Sequence, residues 1–393
     1  MAISHSVKML SVLVSSSLFI SACGGGGGDS SGPSQPAQPN TPSSPTSPPD
    51  KPTGGTAEAV LTNDAQAALL ANNEFSLARS SCGLGGLTID NELNAIAIKH
   101  ANYIKYVLAL STPTTFNPHF ESQIANNVSV TGKNNPFFSG ESFSERLKAA
   151  SFSNTNYGVT ENIAQTNYYS SAGTIIKPEV AATSMAKSLL AAPYHLRSLM
   201  LPSSSAIGTS VVSYTPYNKP VANNQGFVLV THGSATAKTQ NPTVTGTFTY
   251  PCQDTSNVVT ALYNETPDPV KGTGRNLATD PIGHPIYIHI PSAKTIKVSN
   301  VKFVDMKRNI TVPISLLDHD NDPHQRTAYQ LPNNEAFILP LTDNLKSCEI
   351  GNRQGGNCGL NGDTPYRVSF DVLVDNKNLE TKSFTFTTGK VSY

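Results

Sequence analysis

Charge is what this sequence has least of. Lys and Arg number 27 and Asp and Glu 27 in 393 residues, a charged fraction of 14% and a net charge of zero, against roughly 25% in ordinary soluble domains. So sparse and balanced a set offers no basic field that would release counterions from phosphates. It argues against nucleic acid as a partner and against tight adhesion to anionic headgroups. Tryptophan is absent and cysteine occurs five times. No two cysteines stand in CxxC spacing, so a zinc site built on thiolates is not expected. The apolar stretch near the N-terminus, Met9 to Ile20, counts twelve residues, short of the about 20 that a spanning helix needs. Glycine and proline are abundant in one place only, with 16 of their 56 occurrences between Gly24 and Gly55. The rest of the chain has ordinary Gly and Pro content and enough apolar residues for one large or two medium domains.

Lys8 followed by Met9 to Ile20 reads as an export signal rather than an anchor helix. It runs into Ile20-Ser21-Ala22-Cys23, which resembles a bacterial lipobox, where the Cys23 thiol takes a diacylglyceryl group. The alternative is an ordinary cleaved signal with an incidental cysteine. Residues 1–23 are thus expected to be a lipoprotein signal, and 24–56 a Gly, Pro, Ser and Thr tether that holds the folded part off the membrane. Gly24 after the lipidated residue favours the outer membrane or cell surface as location, with the membrane as partner through the N-terminal lipid. The other cysteines, Cys82, Cys252, Cys348 and Cys358, are even in number, which predicts two disulfides in an oxidising compartment. Three pairings are possible. Cys348 and Cys358 flank a Gly-rich loop and form the natural local pair, which leaves Cys82 to Cys252 by elimination.

Hydrophobic spacing predicts helices from Leu61 to about Arg79, from Asp90 onward with His100 on its apolar face, from Glu141 to Ala150, and from Pro178 onward. Gly208 to Tyr214 and Gly226 to Thr231 read as strands. Helices first and strands later predict an α+β architecture. Beyond about Thr236 short strand patterns recur every ten residues or so, which predicts a small antiparallel β-sandwich, with Asp375-Asn376-Lys377-Asn378 as a hairpin turn. Asp318-His319-Asp320-Asn321-Asp322 begins like a calcium loop, but Pro323 stands where the sharp-turn glycine belongs. A solvated turn is the expectation.

Two imidazoles and a carboxylate brought together by folding can hold Zn²⁺ with an open position or poise a water. The first folded region offers His119, Glu161 and His195 for this. They lie 42 and 34 residues apart, so no single helix assembles them.

The order of motifs resembles the CAP superfamily (SCP-like domains; cysteine-rich secretory, antigen 5 and pathogenesis-related 1 proteins). The pieces are Asn72 to Arg79, Gly86-Leu87, the helix around His100, His119, Gly140 with Arg146, Glu161-Asn162-Ile163, and His195 before Ile207-Gly208. The resemblance implies an α-β-α sandwich with a central cleft over residues 57–235, followed at 236–393 by an immunoglobulin-like or fibronectin-like sandwich. It also implies a tetrad of two His and two acids, here His119, Glu161 and His195, with Ser188 where the second acid belongs and Met185 where a Trp belongs. Glu121 is the candidate to supply the missing charge. The function implied is a binding module for a small amphipathic ligand, a glycan or a protein partner, with zinc on His119 and His195 as a weak option. The alternatives are a metal-dependent peptide or ester hydrolase with Glu161 as base, which leaves enzymatic activity open, and an adhesin or spacer with a vestigial cleft.

Overall fold

In a computed structural model of the chain, residues 7–19, 63–153, 158–235, 244–349 and 353–391 are described, the first segment by its backbone alone. The lipobox residue Cys23 and the tether lie outside the described residues.

Strand β1 (Val7–Phe19) takes up most of the apolar stretch read as an export signal. Helix α1 (Asn63–Ser81) follows, then β2 (Thr88–Ile89) and α2 (Asn91–Leu110). Asp90 starts α2 by accepting hydrogen bonds from the N–H groups of Glu92 and Leu93, a cap worth about 1 kcal/mol. Helix α3 (Phe143–Ala149) opens on a reciprocal capping box between Ser142 and Glu145. Strand β3 (Val159–Ser170) leads to α4 (Pro178–Leu190) and α5 (Pro193–Leu199), each with proline in its first turn, where no N–H is missed. Strands β4 (Ala206–Tyr214) and β5 (Asn224–Ser234) complete the region.

These strands form one sheet in the order β1-β3-β5-β4-β2, antiparallel except where β2 joins β4. Successive side chains of a strand point to opposite faces, and the core divides accordingly. Ile163, Val228 and Val230 meet Ala97, Ile104 and Val107 of α2 on one face. Ala164, Val211 and Leu229 meet Phe75 of α1, Met185 of α4 and Leu196 of α5 on the other. The result is the expected α-β-α sandwich. Gly208 allows the closest contact, because a Cβ there would fall on the Leu93–Asn94 backbone of α2.

The second region holds β6 (Phe248–Tyr250), β7 (Thr255–Val258), β8 (Ala261–Leu262), β9 (Ile282–Gly283), β10 (Ile286–His289), β11 (Ile296–Asp305), β12 (Ile310–Thr311) and β13 (Ile314–Asp318). Strands β14 (Glu335–Pro340), β15 (Pro365–Val374) and β16 (Asn378–Thr388) follow. Two sheets dominate, β13-β14-β10-β6 and β12-β11-β15-β16-β7, antiparallel apart from the β16–β7 pair. The first is a middle layer. Its Ile286, Ile288 and Ile338 pack on Phe303, Val368 and Phe370 of the second sheet, while Tyr287, Phe337 and Leu339 join the core beneath α1, α4 and α5. The whole is thus layered as helices, sheet, helices, sheet, sheet, with a continuous core across the two regions.

Both disulfides form as expected, Cys82 with Cys252 across the two regions and Cys348 with Cys358 within a loop. Asp375 and Asn376 turn the β15–β16 hairpin with φ of 50° and 56°. The Asp318–Asp322 turn departs from a solvated one. Asp318 Oδ1 does accept from the N–H of Asp320 and Asn321, but Asp322 is buried, where it accepts from the Tyr194 hydroxyl at 2.9 Å and from Leu331 N at 2.9 Å. Packing of α5 against this loop takes the carboxylate out of water and supplies its donors. Among the described residues no helix is long and apolar enough to cross a membrane.

Candidate functional site

Glu161 lies on β3 and His232 on β5, directly opposite in register, so both side chains leave the sheet on the α2 and α3 side. His119, in the loop after α2, and Arg146, on α3, close over them. Glu161 accepts from His119 Nδ1 at 2.9 Å through Oε1 and from His232 Nε2 at 3.0 Å through Oε2. Arg146 Nη2 donates to both of its oxygens, at 2.9 and 2.7 Å. All four residues are buried. Burial pushes the Glu161 carboxyl up, but the Arg146 charge, His100 and the two histidine hydrogen bonds outweigh it. The carboxyl is held well below the usual carboxylate range.

His100 and Glu121 form a second pair beside the first, with His100 Nδ1 2.8 Å from Glu121 Oε1. Glu121 also accepts from Ser139 N at 2.6 Å. The other ring nitrogen of His100 faces the Pro118 carbonyl at 2.8 Å. Burial, then Arg146, lower the His100 pKa against the pull of Glu161 and Glu121. The histidine on the apolar face of α2 is therefore a hydrogen-bonded core residue that braces the loop carrying His119.

His195 is elsewhere. Asn162, the neighbour of Glu161 in β3, points to the opposite face and accepts from Ser198 Oγ of α5 at 2.6 Å. The sheet stands between Glu161 and the helix that carries His195. His195 Nδ1 instead lies 2.9 Å from Glu265 Oε1, which also accepts from the backbone N–H of Tyr194 and His195. Burial raises the Glu265 pKa against those hydrogen bonds. Two residues on, Arg197 makes a two-pronged pair with Glu335 of β14 at 2.7 and 3.0 Å. Ser188 donates to the Ser184 carbonyl of its own helix. Of the residues singled out by sequence, then, the fold brings His119 to Glu161, gives Glu121 to His100, and places His195 and Ser188 apart from them. Arg146 appeared in the motif pattern without a role, and His232 and Glu265 did not appear. Pairing of Glu161 with a residue 71 positions away leaves no local mark.

The donor set does not fit one zinc ion shared by His119 and His195. The oxygens of Glu161 are already engaged, a guanidinium stands against them where a cation would add repulsion, and the two imidazoles belong to opposite faces of the sheet. Among the described residues no group of three or more His, Cys, Asp or Glu is placed to hold a metal. What this arrangement does chemically is fix a buried carboxylate and three surrounding donors in one position.

Residues 73–231 match the model of the cysteine-rich secretory protein family, CAP. No curated protein sequence matches the chain. Among solved structures, the adhesin InvE of Yersinia pseudotuberculosis is similar at 8% identity and a TM-score of 0.16, over 57% of this chain and 54% of that one. The chain spans about half the length of that structure, and so faint a likeness carries no argument. The family match runs from α1 into β5, across the same helices and strands that build the α-β-α sandwich, and residues 73–231 are a CAP domain.

Proposed function

We propose that this chain is a non-catalytic binding module of the bacterial cell envelope. In this reading a lipid on Cys23 holds it at the outer membrane, and its CAP domain takes a small amphipathic ligand, a glycan or a protein partner. One observation carries the choice of binding over catalysis, which is the saturation of Glu161. A carboxylate has about four acceptor sites, and Glu161 receives two imidazole and two guanidinium contacts. A general base works best with a pKa near the working pH and within reach of a proton it can take. Glu161 is buried and its pKa is depressed, so it serves the fold better than it serves a water. The hydrolase reading retains one favourable feature, the buried Nε2 of His119, which has no hydrogen-bond partner among the described residues.

A panel of p-nitrophenyl esters and a fluorogenic peptide separates the two. No turnover is expected from the wild-type chain, and turnover that disappears in His119→Ala and Glu161→Gln would overturn the binding reading. Calorimetric titration with Zn²⁺ beside His119→Ala and His195→Ala is expected to show no binding that both variants abolish. Mass spectrometry of the mature N-terminus should find a diacylglyceryl group on Cys23, and a mature chain that starts elsewhere refutes the anchor.

A further inference from the structure

The edge of β4 that faces away from β5 is only partly covered. β2 pairs with Ala206 and Ile207 and stops at Ile89, because Asp90 turns the chain into α2. Beyond that point two N–H groups of the edge are taken by side chains, that of Thr209 by Asn94 Oδ1 at 3.1 Å and that of Ser213 by Asp64 Oδ2 at 3.3 Å. Outward and inward pairs alternate along an antiparallel strand. Val211, midway between Thr209 and Ser213, therefore presents its own N–H and C=O to the same side.

That side is a groove with a volume of about 390 Å³, walled by α1 and α2 and floored by Thr209 to Val212. Each wall is a stripe at helical spacing: Asp64, Ala68 and Asn72 on α1, and Asn94, Ile98 and Asn102 on α2. Asn72 is 6% exposed, and its Oδ1 has no hydrogen-bond partner among the described residues. A buried amide oxygen left without a donor costs free energy, and this one lines the groove. Ile98 is 45% exposed on the opposite wall. The groove thus asks for a donor at Asn72, a donor and an acceptor at Val211, and apolar contact at Ile98.

We propose that this groove takes an extended peptide segment as an added strand on β4, in line with β2. A peptide backbone repeats N–H and C=O groups on one side at the strand period and satisfies Val211 as a neighbouring strand would. Its side chains, which alternate in direction, lie against Ile98 on one wall and Leu69 on the other. An acyl chain satisfies neither Asn72 nor Val211. The volume lies toward the lower end of the about 300–1,000 Å³ of ordinary ligand sites, which limits the segment to a few residues. The proposal rests on the reading of this chain as a binding module and names the ligand class.

The test uses the mature chain and a fluorescein-labelled heptapeptide of alternating Thr and Val, followed by anisotropy. Saturable binding is expected. Asn72→Leu should weaken it about tenfold, the worth of one buried hydrogen bond. Ile98→Lys, at an exposed position that leaves the core untouched, should obstruct the groove with the melting temperature unchanged. A peptide N-methylated at its central Val should not bind. Binding that persists in Ile98→Lys and with the N-methylated peptide overturns the proposal, as does an absence of saturable binding. Palmitate and chitotriose are titrated in parallel. If either binds while the peptide does not, the groove assignment falls and the binding-module reading stands. If none of the three binds, the groove assignment is refuted.

Discussion

Arg146 donates from Nη2 to both oxygens of Glu161, and neither side chain reaches solvent. Two buried charges survive in such a place only because each completes the other. The two histidines and the loop above them are organised by the pair rather than the reverse.

Removal of the negative partner is therefore expected to cost more than the loss of a contact. Glu161→Gln leaves the buried Arg146 guanidinium with only the more distant Glu121 carboxylate, 4.0 Å from its Nε, and loss of the near partner costs about 3–5 kcal/mol in comparable pairs. Urea denaturation of wild type and variant measures it. A loss under about 1 kcal/mol shows that the pair does not organise the cluster.

The two buried carboxyls should bend the stability profile in opposite directions. Glu161 has a folded pKa below its unfolded value near 4.5, so its contribution is full above that value and is lost as pH falls through the folded pKa. Glu265 has a folded pKa above 4.5, so its contribution is full below that value and is lost as pH rises through the folded pKa. Glu265→Gln keeps an oxygen for the N–H groups of Tyr194 and His195 and removes the buried charge. It should stabilise the chain at pH 7, with little effect at pH 4. Chemical denaturation at the two pH values checks the sign.

Arg197 and Glu335 clamp α5 to β14 with both side chains 4% exposed. Glu335→Ala strands the guanidinium in the core and should lower stability by about 3–5 kcal/mol, whereas the double replacement by Met and Leu should recover most of it. A double-mutant cycle reads the coupling, and an additive result refutes the clamp.

The two disulfides should differ in worth. Cys82 and Cys252 are 170 residues apart, and Cys348 and Cys358 are 10 apart. Loop-closure entropy predicts about 5 kcal/mol for the first and about 3 kcal/mol for the second. Thermal unfolding of the two double-serine variants should therefore show the larger loss for Cys82→Ser with Cys252→Ser. Equal losses would indicate that the long-range bond does not constrain the unfolded chain as an entropic tie.

The starts of α1 to α4 were readable to within a few residues because their signals are local, whereas α5 was not read as a helix. Asp90 and Ser142 are side-chain caps, and Pro178 fits a first helical turn. Strand β3 was not readable as a strand, since its first eight residues are buried and the polar Thr160, Glu161 and Asn162 stand among them. A strand covered on both faces has no alternation to reveal it. Likewise β10 and β14 are buried throughout, because the sheet they share lies between the CAP helices and the outer sheet.

By itself the sequence determined the starts of four helices, the order of the CAP motifs, an even set of four cysteines after Cys23 and the scarcity of charge, all of which depend on residue type and short spacing. Tertiary structure alone decided which charges meet. Glu161 and Asn162 are adjacent in the chain, yet the pleat sends one to Arg146 and His232 and the other to the helix of His195. A side chain's face depends on strand register and on the layer that packs against it, and both are settled by contacts between residues far apart in sequence.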